Sequence, residues 1–453
     1  MNDRTGSLTP AVTSDPLRYA FTARRPVMPR QDKQAVSETE IPRRWAALEQ
    51  QSPAAGKRLA YINIPFCRAN CLYCGFYRHR SGAPRLNRYV DLLIEEIRRD
   101  AALPLVGDRP IHAVYLGGGT PSDLPAGDLQ RLLAAVRECL PLAADCEITL
   151  EARIAGLTEE KIRAAFAGGV NRISVGVQSF DTRVRRRQGR VAAAQEVVER
   201  LVLLAGHDQG AVIADLMFGL PDQDLASWHR DLDSCQELGL DGLDTYALKL
   251  IPGTPLQKLV ERGCIEQPAG LPEQAEFYAE AVEALSTAGW RQISNSHWAR
   301  TPRERNLYNL LIKSGAETLA FGAGAGGSRE PYTFANTPDM EAYERAVAAG
   351  DKPVAMMRVS DALQPLRDTL MGGVEIGRLE LPALRACMPM SVQADPSPWR
   401  LVDRWVEAGL AERRGEQIHL TVAGRFWAPN LVTGFQEVCA QALESGRKAH
   451  ADG

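Results

Sequence analysis

No stretch of this sequence approaches the ~20 consecutive apolar residues that a membrane-spanning helix needs, so no membrane insertion is expected. Residues Met1 to Thr22 have no apolar core of the kind that marks a secretory signal, which makes the cytoplasm the expected compartment. Neither sign of charge dominates. The 53 Lys and Arg stand against 56 Asp and Glu, a net charge of −3, which argues against a nucleic-acid or anionic-membrane partner. Paired cysteine spacings are missing too. The nine cysteines are odd in number and scattered along the chain, a poor fit to a secreted disulfide framework. There is no internal repeat and no low-complexity tract.

What is present is a long chain of 453 residues, enough to bury about two or three cores. Residues 1–57 are rich in Pro, Arg and Ser without sustained periodicity, and read as an extension that wraps or docks. From residue 58 a strand–helix alternation begins. Leu59–Phe66, Ala113–Leu116, Glu147–Leu150, Arg172–Val177, Ala211–Phe218 and Asp244–Leu250 are nearly continuous apolar runs, as expected of strands buried on both faces. The intervening stretches Tyr89–Ala102, Asp128–Leu140, Glu159–Ala167, Ala194–Ala205 and Ser227–Leu238 are amphipathic. The spacing predicts an α/β fold, a parallel sheet curled into a full or partial (β/α)6 barrel with catalytic groups at the C-terminal strand ends. Pro272–Ala288 reads as a helix and Trp290–Ser296 as a further strand. The core is expected over residues 58–335. Residues 336–453 change character: short helices, a hairpin at Leu410–Arg414 and Gln417–Leu420, then a helix, the order of a smaller α+β winged-helix-like domain.

The strongest local signal is Tyr61-Ile-Asn-Ile-Pro-Phe66-Cys67-Arg-Ala-Asn-Cys71-Leu-Tyr-Cys74, directly after the first strand. Three thiolates at this spacing can wrap one side of a cubane iron–sulfur cluster and leave one iron open for a ligand. The alternative, structural zinc, wants four closed ligands, and no fourth Cys or His lies at a matching spacing. Cys139, Cys146, Cys235, Cys264, Cys387 and Cys439 read as ordinary thiols. A second signal, Gly117-Gly118-Gly119-Thr120-Pro121-Ser122, follows the second strand, where backbone free of side chains can approach a ligand closely or simply turn. Glu151 ends the third strand, where a carboxylate can bind an ammonium or ribose hydroxyls. Asp215 interrupts an apolar strand, and a buried charge needs a partner. Arg183, Arg185, Arg186 and Arg187 read as a solvated helix start.

The C-x3-C-x2-C motif on the first βα loop is identified as the signature of the radical S-adenosylmethionine (SAM) superfamily. Its Tyr-Ile-x-Ile-Pro-Phe-Cys context resembles the branch holding oxygen-independent coproporphyrinogen III dehydrogenase and the related heme chaperones. The resemblance implies a [4Fe–4S] cluster on Cys67, Cys71 and Cys74 and SAM chelating the open iron. It further implies SAM contacts from Gly117, Gly118, Gly119, Thr120, Glu151, Gln178, Arg190 and Asp215, with Arg190 on the methionine carboxylate. Tyr61 and Glu151 are the candidate catalytic groups. The dehydrogenases usually carry a fourth cysteine after the motif; here Cys74 is followed by Gly75-Phe76-Tyr77. Two segments instead resemble the heme-utilisation radical SAM methyltransferases that form anaerobilin. One is Phe21 to Pro29, with Arg24-Arg25-Pro26-Val27-Met28-Pro29. The other runs from Trp290 through Asn295, His297, Trp298, Arg300, Arg305, Asn306, Tyr308 and Asn309 to Gly322–Ser328. That likeness implies anaerobic opening of heme to a linear tetrapyrrole with iron release, a second SAM as methyl donor, and a flavodoxin-like or flavin reductase electron donor. His297 and Arg300 are then candidate heme contacts, through iron or a propionate, and Tyr246, Trp290 and Trp298 candidate walls for a porphyrin face. A non-catalytic heme chaperone and the dehydrogenase remain the alternative functions.

Overall fold

The computed structural model describes residues 8–25, 34–75 and 79–451. Pro26, Val27, Met28 and Pro29 of the N-terminal motif, with Phe76 and Tyr77, lie outside the described residues. Six strands alternate with helices: β1 (Arg58–Ile64), α1 (Ala83–Ala101), β2 (Ile111–Gly118), α2 (Ala126–Cys139), β3 (Leu142–Ala152), α3 (Glu159–Ala167), β4 (Arg172–Gln178), α4 (Ala194–Gly206), β5 (Ala211–Phe218), α5 (Leu225–Glu237) and β6 (Gly242–Ala247). Most positions of β1 and β4 are buried, as an apolar run covered on both faces requires. The helices start where local chemistry permits. The Thr158 hydroxyl accepts from Lys161 N–H to cap α3, and Asp224 with Ser227 forms a capping box on α5. Pro sits in the first turn of α1 and of α6 (Leu271–Thr287), where its missing N–H costs nothing.

The sheet continues through β7 (His297–Ala299), β8 (Glu317–Phe321), β9 (Gly326–Arg329), β10 (Tyr332–Asn336) and β11 (Val354–Val359). Its spatial order is Gln34–Ala35, β11, β10, β9, β8, β1, β2, β3, β4, β5, β6, β7, Arg291–Gln292. Strand β8 and strands β1 to β6 are parallel, while β7 and β9 to β11 are antiparallel to their neighbours. The sheet ends do not pair, so the barrel is open. Two expectations change here. The predicted strand at Trp290–Ser296 is a short antiparallel pair, Arg291–Gln292 with β7, because the amides of Ile293 and Ser294 turn back onto the His297 carbonyl. Residue 335, where the core was expected to end, lies within β10, which pairs with β11 across the helix Met340–Ala348.

Beyond the sheet lie α7 (Gln364–Ile376), β12 (Arg378–Glu380), α8 (Ser397–Glu407), β13 (Ala411–Arg414), β14 (Gln417–Leu420) and α9 (Ala428–Ala451). Strands pair in the order β12, β14, β13, and with the intervening helices they make a winged-helix-like unit. The N-terminal extension docks on both halves. Phe21 packs on Trp427, whose indole N–H donates to the carbonyls of Pro16 and Leu17. Trp45 meets Phe334 of β10 edge-on at 4.8 Å. Among the described residues, no helix is long and apolar enough to cross a membrane.

Candidate active site

The cysteine loop leaves β1 at Ile64 and is anchored from three sides. Asp123 accepts from Arg68 N–H at 2.8 Å, Leu72 N–H donates to the Gln188 carbonyl, and the Ala69 carbonyl accepts from Arg153 Nη1 at 2.8 Å. Cys67 and Cys71 are buried and Cys74 is half-buried. Cys67 Sγ lies 3.2 Å from Thr120 Oγ1, and Arg153 Nη2 points at Cys71 Sγ from 3.1 Å. Among the described residues, no group of three or more His, Cys, Asp or Glu side chains is already gathered around a single-ion site.

The glycine run lies under this loop. Gly119 N–H donates to the Ile64 carbonyl at 2.8 Å. A Cβ on Gly118, at φ +110°, would sit 2.0 Å from Asn63 Oδ1, and one on Gly119 would sit 2.4 Å from the Phe66 carbonyl oxygen. These glycines are therefore required first for close packing of β2 on β1. Their backbone also borders a cavity of about 640 Å³, shared with Tyr61, Asn63, Glu151 and Met356. Glu151 Oε1 accepts from the Tyr115 hydroxyl at 2.8 Å and Oε2 from Gly118 N–H at 3.2 Å. Burial, with Asp215 nearby, pushes the Glu151 carboxyl up to about 7. Tyr61 stacks on Tyr115 with ring centroids 6.3 Å apart, which fixes it beside Glu151.

A second group gathers over β4 and β5. Gln178 takes the left-handed region at φ +67°, where a register shift ends β4. Arg190 Nη1 donates to the Gly176 carbonyl at 2.7 Å and Nη2 to the Tyr73 hydroxyl at 2.8 Å. Gln178 Oε1 and Arg190 Nε are buried without a hydrogen-bond partner. Such orphaned groups are rare without a reason, and the donor and acceptor suit a polar ligand such as an amino-acid zwitterion. Asp215 accepts from Ser174 Oγ at 2.8 Å. Burial and the neighbouring Asp244 raise its carboxyl to about 6.

Four readings need correction. His297 is fully buried: Nε2 lies 2.9 Å from Glu304 Oε1 and Nδ1 2.7 Å from Asp244 Oδ2. Burial alone would lower its pKa, but Asp244 and Glu304 override it and hold the imidazole at about 9. Glu304 also binds Arg172 at 3.0 Å. His297 thus sits fully buried between two carboxylates, hydrogen-bonded through Nε2 and with Asp244 against Nδ1, and presents no nitrogen to a heme at the surface of the site. Arg300 is exposed beside Asp241, at the N-terminal end of β6 and away from the strand ends that carry the site. Arg185 is buried, donating to the carbonyls of Val177, Ser179 and Ala192, so it braces the β4 loop rather than facing solvent. Trp290 and Trp298 are core, whereas Tyr246 is 42% exposed. Sequence reasoning passed over Arg153, Tyr115, Tyr73 and Asp123. The one local signal was the closeness of Arg153 to Glu151 and of Asp123 to the glycine run.

An open parallel barrel with three cysteines on its first loop and a polar lining at its strand ends defines a class, and the comparisons agree with it. A model of the Radical SAM superfamily matches residues 61–235. The chain belongs to the radical SAM superfamily, and membership implies a [4Fe–4S] cluster and SAM. It is 42% identical, over 92% of its own length and 92% of the relative's, to anaerobilin synthase of Escherichia coli O157:H7. The heme chaperone HemW of Escherichia coli K12 is 33% identical over 65% of this chain and 79% of its own. The solved coproporphyrinogen III oxidase HemN of Escherichia coli superposes with a TM-score of 0.75, covering 88% of this chain and 93% of that one at 22% identity, a likeness of fold.

Proposed function

We propose that this protein is a heme-degrading radical SAM methyltransferase. It attaches a methyl-derived carbon of SAM to heme and opens the macrocycle to a linear tetrapyrrole with release of iron under anaerobic conditions. The observation that carries this reading is the likeness to anaerobilin synthase at 42% identity through 92% of both chains. That likeness runs through the barrel and the C-terminal unit together. The absence of a fourth cysteine after Cys74 supports it against the dehydrogenase.

In this reading Cys67, Cys71 and Cys74 hold the cluster, and Arg153 braces their loop through the Ala69 carbonyl and the Cys71 sulfur. The bound cluster and SAM supply the one-electron chemistry, and the protein supplies binding and orientation. Arg190, held by Gly176 and Tyr73, presents its free Nε to the methionine carboxylate. Gln178, Asp215 and the backbone of Gly117, Gly118 and Gly119 take the remaining polar groups, while Thr120 buttresses Cys67. Glu151, near neutrality when empty, ionises as the cationic ligand arrives. Tyr61 walls the same cavity, whose volume of about 640 Å³ leaves room for a second SAM beside the first. Electrons come from a flavodoxin-like or flavin reductase partner in the cytoplasm.

The test is anaerobic turnover of heme with a low-potential reductant and SAM labelled on its methyl carbon, read by mass spectrometry. Label in a ring-opened product is expected. Heme recovered intact points to a chaperone, and turnover only of coproporphyrinogen points to the dehydrogenase; either result overturns the reading.

A further inference from the structure

A pocket of about 280 Å³ lies beyond the C-terminal ends of β5 and β6, against helices α7 and α9. Phe218, Tyr278, Val374 and Val432 give it apolar walls. Four of its lining residues are cationic: Arg24, Lys249, Lys313 and Arg425. Among the described lining residues Glu375 alone is acidic, and it is 2.5 Å from Lys313. Arg24 and Lys249 make no ion pair among the described residues, and Arg425 feels Glu375 only at longer range than Lys313 does.

Their positions are built rather than incidental. Arg24 comes from the docked N-terminal extension and lies over the Phe426 ring at 4.9 Å, with a buried Nε that has no hydrogen-bond partner. Arg425 donates to the Ile376 carbonyl at 2.9 Å. It occupies space that a Cβ on Gly377 would take, 2.2 Å from the guanidinium. Asn295 reaches across to the Val374 carbonyl at 3.0 Å and accepts from Arg425. Three segments far apart in sequence thus converge on a cationic pocket with apolar walls. Burial lowers the pKa of Arg24 and of Lys249, and Arg24 lowers Lys249 further. Clustering like charges out of water is unfavourable until an anion joins them.

We propose that this pocket binds the carboxylate-bearing edge of a tetrapyrrole, with Arg24 and Arg425 pairing to the two propionates and Lys249 at the rim. The inference rests on the heme reading above. The match is chemical. Heme carries two carboxylates side by side on one edge of a flat apolar ring, and guanidinium groups take carboxylates in paired hydrogen bonds. A volume of 280 Å³ admits that edge but not the whole macrocycle. The rest of the ring lies over Tyr246, which is 42% exposed and whose hydroxyl neighbours Asp244 at the barrel interior.

The experiment titrates hemin, and separately hemin dimethyl ester, into the full-length, cluster-loaded protein before any reductant is added, following the Soret band. Arg24→Gln and Arg425→Gln should each weaken hemin binding roughly tenfold and leave the ester unchanged. Cluster absorbance and SAM affinity serve as the folding controls. Should Arg425→Gln fail to fold, Arg24→Gln, in the docked extension, still decides. Unchanged hemin affinity, or an equal loss for the ester, overturns the proposal. Selective loss of hemin binding without turnover in the wild type keeps the pocket and removes the enzymatic reading. Ring opening by both variants at wild-type hemin affinity does the reverse.

Discussion

Glu151→Gln isolates one charge at the candidate SAM site. Both carboxylate oxygens accept hydrogen bonds, from the Tyr115 hydroxyl at 2.8 Å and from Gly118 N–H at 3.2 Å. The amide keeps an acceptor for Gly118, and the Tyr115 hydroxyl can rotate to accept from the new NH2, so the fold should persist. What is lost is a carboxylate facing a cationic ligand. A hydrogen bond to a charged group contributes about 1.5–3 kcal/mol, so SAM should bind roughly 10- to 150-fold more weakly at pH 8. The pH profile sharpens this. Burial holds the empty wild-type carboxyl at about 7. It is therefore about nine-tenths ionised at pH 8 and about one-tenth at pH 6. If the bound state needs the carboxylate, wild-type affinity falls roughly tenfold between those values. The sign follows from the raised pKa: protonation on the acid side removes the partner. The variant has no such term, so the two curves should converge toward pH 6. Subtracting them cancels any titration they share, including that of the ligand amine. Anaerobic equilibrium dialysis of SAM against cluster-loaded protein from pH 6 to pH 8 measures it. Parallel curves, or equal affinity at pH 8, would refute the argument.

Cys67→Ala, Cys71→Ala and Cys74→Ala should each abolish the brown chromophore and SAM cleavage together, while Cys139→Ala should leave both; iron analysis after anaerobic reconstitution checks it. Gly118→Ala forces a Cβ to 2.0 Å from Asn63 Oδ1 at φ +110°. It should cost at least about 1–3 kcal/mol, read as a lower denaturation midpoint together with a disturbed cluster spectrum. His297→Ala leaves Asp244 and Glu304 without their shared buried cation and should destabilise by about 3–5 kcal/mol. Arg300→Ala should change neither stability nor hemin affinity, and thermal melts beside hemin titrations test the pair.

The chemistry-bearing core of the candidate site could be proposed from the sequence because it is local. Cys67, Cys71 and Cys74 share one loop, the glycines share one turn, and the six buried strands show as apolar runs with helical spacing between them. Period and spacing are properties of neighbours in the chain, so a sequence carries them directly. Burial and charge pairing belong to residues brought together from far away. His297 looked available until the fold set Asp244 on one side of it and Glu304, itself bound to Arg172, on the other. Arg185 resembled its solvated neighbours until the β4 loop folded over it. The glycines read as room for a ligand, and the tertiary structure adds that Asn63 and Phe66 already fill most of that space. The cationic pocket draws Arg24, Lys249 and Arg425 from distant parts of the chain. No spacing rule connects those three. Only docking of the extension and of the C-terminal unit against the open barrel brings their charges together, and it is that long-range packing which decides whether a polar side chain meets a protein partner or is left for a ligand.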